Sequence, residues 1–144
     1  MTELYRYQPV MIPGPTGTDY RPTGEGLTEL CELDGWRYVA VPEGVVPDVP
    51  EALATWEAAD LTPELREAIK LASPHAQLIA QRVIDRIRAQ YPQDEELYFA
   101  RIAVGALQGS YTLLPGEATA LAQYQTDVEA AREWGRLARA ELGL

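Results

Sequence analysis

Leu27 to Val41 reads L-T-E-L-C-E-L-D-G-W-R-Y-V-A-V. Two strand-favouring runs flank Asp34-Gly35, a dipeptide suited to a two-residue type I′ turn because both central residues of that turn need positive φ. The pattern predicts a β-hairpin whose short turn fixes the register. Leu33 then opposes Trp36, Glu32 opposes Arg37, Cys31 opposes Tyr38 and Leu30 opposes Val39. One face carries Leu33, Trp36, Cys31 and Tyr38, and the other pairs Glu32 with Arg37, a favourable opposite-charge contact. A hairpin alone is marginal in water, so the aromatic face needs cover from helices, further strands or another subunit.

Upstream of the hairpin, Met1 to Gly26 has no sustained period and reads as an extended arm. Residues 1–50 hold seven of the 11 prolines and six of the 11 glycines. That density prevents long helices and favours turns and short extended segments. Tyr5, Tyr7, Met11, Ile12 and Tyr20 make the arm more apolar than a linker requires. They either cover the chain's own core or dock on a partner or a second copy.

Downstream, helices are expected. Ala52 to Ala59 reads as a short one anchored by Trp56. Thr62-Pro63 supplies an N-cap followed by proline at the first helical position, and Ser73-Pro74 repeats the device. The second of these helices places Ala76, Ile79, Ala80, Val83, Ile84, Ile87 and Tyr91 at intervals of three and four, one continuous apolar stripe. Asp94, Glu95 and Glu96 suit the positive start of a third helix. From Leu97 to Leu107 only Arg101 is charged, the composition of a central or interface helix. The closing run Tyr124–Leu144, Y-Q-T-D-V-E-A-A-R-E-W-G-R-L-A-R-A-E-L-G-L, continues a near-heptad seam of Leu121, Tyr124, Val128, Ala131, Gly135, Ala138 and Leu142. The expected fold is α+β. A Pro/Gly-rich arm and β-hairpin region spans 1–50, and a helical region spans 51–144 with helices near 63–72, 74–90, 94–107 and 117–142.

Charge narrows the function. The formal net charge is −10, and an anionic surface repels the phosphate backbone, which argues against nucleic acid. Residues 1–60 carry 11 acids against three bases, a net −8. The first residues lack the cationic start and apolar stretch of a signal peptide. The longest uncharged run, Ile102 to Gly116, is too short to span a bilayer. A cytoplasmic protein with no membrane association is the expectation.

Catalytic chemistry has little to work with. His75 is the only histidine and Cys31 the only cysteine, too few for a metal site of His and Cys ligands. No nucleophile elbow or phosphate-binding glycine spacing is present. The reading is a non-enzyme without metal or cofactor. Trp36 and Tyr38 of the hairpin, with Tyr5, Tyr7 and Tyr20 of the arm, are the candidate partner-binding residues. Tyr124, Val128, Trp134 and Gly135 are the candidates for self-association, as a homodimer seam, or for helix packing inside the chain. A glycine inside a helix costs about 1 kcal/mol relative to alanine, and close approach of another helix is one reason to tolerate it.

Three pieces carry a resemblance: S-P-H-A-Q-L-I-A-Q-R-V-I-D-R-I-R-A-Q-Y from Ser73, D-E-E-L from Asp94 and the closing run from Tyr124. They look like the helical tails of small proteins encoded beside tail-fibre genes in bacteriophages and prophages. The stretch T-E-L-C-E-L-D-G-W-R-Y-V-A-V-P-E-G from Thr28, with its proline-rich sequel, is similar to the N-terminal β part of tail-fibre assembly chaperones. Together these pieces cover roughly three-quarters of the chain. Ile102 to Gly116 departs from the pattern, being longer and more apolar than the linker of such tails. The resemblance implies a chaperone that acts in the host cytoplasm, binds the C-terminal, receptor-binding end of a phage tail-fibre protein and assists its trimerisation. The resemblance also allows such a chaperone to stay at the virion tail tip, and the alternative is a structural virion tail component that remains in the particle.

Overall fold

The computed structural model describes residues 1–15 and 17–144, with Thr18 described by its backbone alone. The fold is α+β, with N-terminal strands and C-terminal helices. The chain forms two compact units, Met1–Ile79 with Ala138–Leu144, and Ala80–Leu137. The compositional change near residue 50 lies inside the first unit, so the 1–50/51–144 division does not coincide with these units.

The first unit is built on an antiparallel sheet. Its strands are β1 (Glu3–Tyr7), β4 (Thr28–Leu33), β5 (Trp36–Val41) and β6 (Glu57–Ala58), in the order β4-β5-β1-β6. A separate ribbon pairs β2 (Met11–Ile12) with β3 (Thr18–Asp19). The hairpin turn has φ of 51° at Asp34 and 79° at Gly35, the two positive values that the Asp-Gly signal demands. The arm is not wholly separate from the sheet. Its first strand lies between β5 and β6, with Tyr5 opposite Val39 and Arg6 opposite Tyr38.

Hairpin register follows the sequence reading from the turn to Cys31 and then departs from it. Leu33, Glu32 and Cys31 oppose Trp36, Arg37 and Tyr38, but Glu29, not Leu30, opposes Val39. A bulge between Glu29 and Cys31 absorbs one extra residue. Side chains alternate between faces, so the extra residue changes the facing of everything beyond it. Leu30 joins the core with Leu4, Tyr38 and Ala40. Glu29 lands on the opposite face, beside Arg37. Without the bulge the carboxylate would point into the apolar side.

A second departure concerns Ala52 to Ala59, where a short helix was expected. The segment makes turns closed by Leu53 N–H to Pro50 C=O at 2.9 Å and Trp56 N–H to Leu53 C=O at 3.1 Å. It then adds β6 to the sheet edge. Edge pairing wins because side chains on both strands reward it. Arg6 pairs with Glu57 at 2.6 Å, and Tyr5 stacks on Trp56 with ring centres 5.0 Å apart.

Helix α1 (Pro63–Ala72) packs against β4. Thr62 caps it, its hydroxyl accepting the Leu65 N–H at 3.2 Å. Ser73 is wholly buried and works twice. Its N–H donates to Ile69 C=O at 2.8 Å to close α1, and its hydroxyl accepts the Ala76 N–H at 3.4 Å at the start of α2 (Pro74–Gln90). Helix α4 (Pro115–Glu141) ends with Gly143 at φ 76°. The Gly143 and Leu144 N–H groups donate to Ala140 and Arg139 carbonyls at 2.9 and 3.0 Å, a Schellman cap. Leu144 enters the Leu4 cluster. A Cβ on Gly143 would sit 3.3 Å from Leu4 and from the Thr2 carbonyl.

In the second unit, α2 and α4 accompany α3 (Gln93–Leu107). Phe99, Ile102 and Leu121 form the core, with Tyr91, Ala103, Leu113 and Tyr124 packed on it. Gly109 at φ 71° ends α3. Pro115 opens α4 two residues before the expected start, since the Glu117 carboxylate accepts the Leu114 N–H at 3.2 Å, one arm of a capping box.

Candidate interaction surfaces

Five hairpin and arm residues were expected to meet a partner, and the fold separates them. Tyr7 and Tyr38 are buried inside the first unit. This corrects their assignment: β1 fills the sheet, so both rings are core and unavailable to a partner in this fold. Tyr5 and Tyr20 are half-buried and pack on the cluster of Tyr7, Val39, Val41 and Leu53. Trp36 is half-buried on the other face, with the Arg6 guanidinium 4.2 Å from its ring centre. Of the five, Trp36, Tyr5 and Tyr20 keep accessible surface.

Arg37 is the most heavily used polar side chain in this unit. It is buried and pairs with Asp19 at 3.0 Å, Glu32 at 3.3 Å and Glu29 at 3.7 Å. The Tyr7 hydroxyl accepts from it at 3.5 Å. Burial pulls the guanidinium pKa down, but the Tyr7 hydroxyl and the Glu29 and Asp19 carboxylates outweigh that and leave it raised. The sequence foretold only Glu32 as its partner. Glu29 needs the bulge to reach it, and Asp19 comes from the ribbon.

The second unit uses the closing-helix candidates internally. The Phe99 and Tyr124 rings stack with centres 4.8 Å apart, and Tyr91 meets Tyr124 edge-on at 5.0 Å. Arg86 lies over Trp134, while Val128 is half-buried and Gly135 buried. Helix packing is the role this fold gives Tyr124 and Trp134. Carboxylates collect the phenols: Tyr91 donates to Asp127, and Tyr98 and Tyr111 both donate to Glu117. The two phenols hold the Glu117 carboxyl below the usual carboxylate range.

Helix α3 is not buried all round. Leu97, Val104 and Leu107 are 57%, 51% and 88% exposed, and Leu114 beyond the turn is 63% exposed. Leu97, Ala100, Val104 and Leu107 recur at intervals of three and four, one stripe on the side away from Phe99 and Ile102. Composition signalled this surface; which side of α3 faces water depends on packing against α2 and α4.

His75 is exposed on the first turn of α2. Burial pushes the Cys31 thiol up to about 11, which lowers its nucleophilic fraction at neutral pH. Among the described residues, no group of three or more His, Cys, Asp and Glu side chains is placed to hold a metal ion. No described helix is long and apolar enough to cross a membrane. A groove of about 340 Å³ beside Arg86, Gln90 and Asp127 gathers no nucleophile and base.

No protein-family model, curated protein or solved structure matches the chain.

Proposed function

We propose that this chain is a non-enzymatic phage tail-fibre assembly chaperone that binds the C-terminal, receptor-binding end of a fibre and assists its trimerisation. The observation that carries the binding role is the apolar stripe of Leu97, Val104 and Leu107, with Leu114 beyond the turn, left open to water. Each Å² of such surface removed from water stabilises a complex by about 25 cal/mol before ordering costs. A row of exposed apolar side chains on one helix face is a surface suited to contact with another protein. The choice of a fibre as client rests on the resemblance of the hairpin and helical tail.

Co-expression with a phage tail-fibre protein is the test. The fibre should trimerise, stay soluble and bind receptor only when this protein is present. A Leu97→Gln/Leu107→Gln double variant should fold normally and lose that assistance. Equal fibre yield and receptor binding without the protein would end the chaperone reading. Recovery from purified particles at fibre stoichiometry, with no effect on trimerisation, would make it a structural tail component.

A further inference from the structure

Between Gln8 and Thr23 the chain leaves the four-stranded sheet, and both ends of that excursion are fixed. The Gln8 N–H donates to Thr55 Oγ1 at 2.8 Å. Thr23 exchanges backbone bonds of 2.9 and 2.8 Å with Asp48. Pro9 and Pro22 stand just inside these anchors. Within them, β2 and β3 pair only with each other among the described residues, and Tyr20 N–H donates to Val10 C=O at 3.0 Å. Val10, Met11 and Ile12 are exposed, and none of them joins a core cluster. The ribbon is held by Tyr20, packed on the Tyr7 cluster, and by one knot of charges. Asp19 Oδ2 meets Arg37 at 3.0 Å and Arg21 at 3.3 Å, and Arg21 reaches Glu29 of β4 at 2.8 Å.

The geometry points to a clasped strap: the β2–β3 ribbon lifts from the sheet independently of the sheet's own unfolding, and the Asp19–Arg37 pair is the clasp. Opening gives up one half-buried aromatic contact, that of Tyr20 on the Tyr7 cluster, while Val10, Met11 and Ile12 are already exposed, and so small an apolar loss is the mark of a segment that opens locally. It also leaves no orphaned cation, since Glu29 and Glu32 remain on Arg37. One oxygen of Asp19, Oδ1, is buried without a hydrogen-bond partner among the described residues. That oxygen regains water when the strap lifts, which offsets part of the lost pairing. An isolated two-stranded ribbon is marginal in water, so the lifted strap loses its ladder. What it uncovers is the side of the Arg37 guanidinium that Asp19 had covered, on the Tyr7 face of the sheet, with Glu29 and Glu32 still paired to it.

Amide hydrogen exchange on the intact chain tests this. In the wild type, the ribbon amides of Ile12 and Tyr20, which lie at the bonded pairs of the ladder, should exchange faster than those of Val39 and Tyr5. Asp19→Asn, which takes the charge from the contacts with both Arg37 and Arg21, should speed the ribbon amides by about tenfold or more, with Val39 unchanged. Glu32→Gln removes a carboxylate of Arg37 that lies on β4, and should leave the ribbon-to-sheet ratio as it was. If Asp19→Asn loosens the whole unit, Arg21→Gln serves in its place and should raise ribbon exchange alone. Ribbon and sheet amides exchanging together in the wild type would overturn the strap. So would a ribbon whose exchange responds to neither Asp19→Asn nor Arg21→Gln.

Discussion

The Arg86 guanidinium lies 4.0 Å from the centre of the Trp134 ring. The aromatic half of the Trp134-Gly135 pair is therefore engaged between α2 and α4 of its own unit, where a cation over an indole face adds electrostatic attraction to apolar contact.

Trp134→Ala should accordingly destabilise the chain by about 2 kcal/mol, below the 3–5 kcal/mol of a fully buried aromatic because the ring is only half-buried. Chemical denaturation measures it. The oligomeric state should be the same in both proteins; a change in mass without a change in the denaturation midpoint would assign Trp134 to self-association instead.

Tyr7 is wholly buried at the centre of the sheet, and its hydroxyl sits 3.5 Å from Arg37. Tyr7→Ala opens a cavity and takes the acceptor from a buried guanidinium, at a cost of roughly 3–5 kcal/mol. Trp36→Ala, at a half-buried position beside Arg6, should cost clearly less. Denaturation midpoints of the two variants compare them directly. Equal losses would place Trp36 in the core as firmly as Tyr7.

Much of this architecture is legible locally. Asp34-Gly35 dictates its turn through two positive φ values, and Thr62-Pro63 and Ser73-Pro74 mark helix starts through hydroxyl caps. What escapes the sequence is decided by partners distant along the chain. Glu29 and Leu30 exchange faces because Arg37 waits on one side and Leu4 with Tyr38 on the other, and a hairpin read alone contains no reason for that bulge. Trp56 forsakes a helix because Tyr5, 51 positions upstream, offers it a stacking face. Tyr7 has the composition of a docking residue until β1 is found between β5 and β6. The same limit applies to α3, whose apolar content is plain but whose open side is set by where Phe99 and Ile102 pack.

The hairpin turn offers a clean local test. Gly35 has φ 79° and no atom within 4 Å of where a Cβ would stand, so substitution there meets backbone strain without crowding. Gly35→Val should cost about 1–2 kcal/mol, the penalty of a side chain in the left-handed region and more for a β-branched one. Gly116 also has open space but no positive φ. Gly116→Ala, in the first turn of α4, should leave stability unchanged or slightly raised. Thermal melting of both variants separates strain from packing.

Alkaline pH should loosen the chain in part through Tyr91. Its phenol donates to Asp127, and that hydrogen bond, ahead of burial and the Asp127 charge, pushes its pKa from the ordinary 10 up to about 12. Below pH 10 the phenol is protonated in both folded and unfolded chains, and the stabilisation is whole. Between about pH 10 and 12 the unfolded chain has released the proton while the folded chain keeps it. Unfolding then releases a proton, so stability falls as pH rises through that window. Tyr98 and Tyr111, raised by their bonds to Glu117, act in the same direction. Asp127→Asn should bring the Tyr91 titration back toward 10 and flatten the alkaline loss. NMR titration of the Tyr91 ring, with denaturation midpoints at pH 8, 10 and 11, checks both. A Tyr91 that titrates near 10 in the folded wild type would refute the bond to Asp127 as its cause.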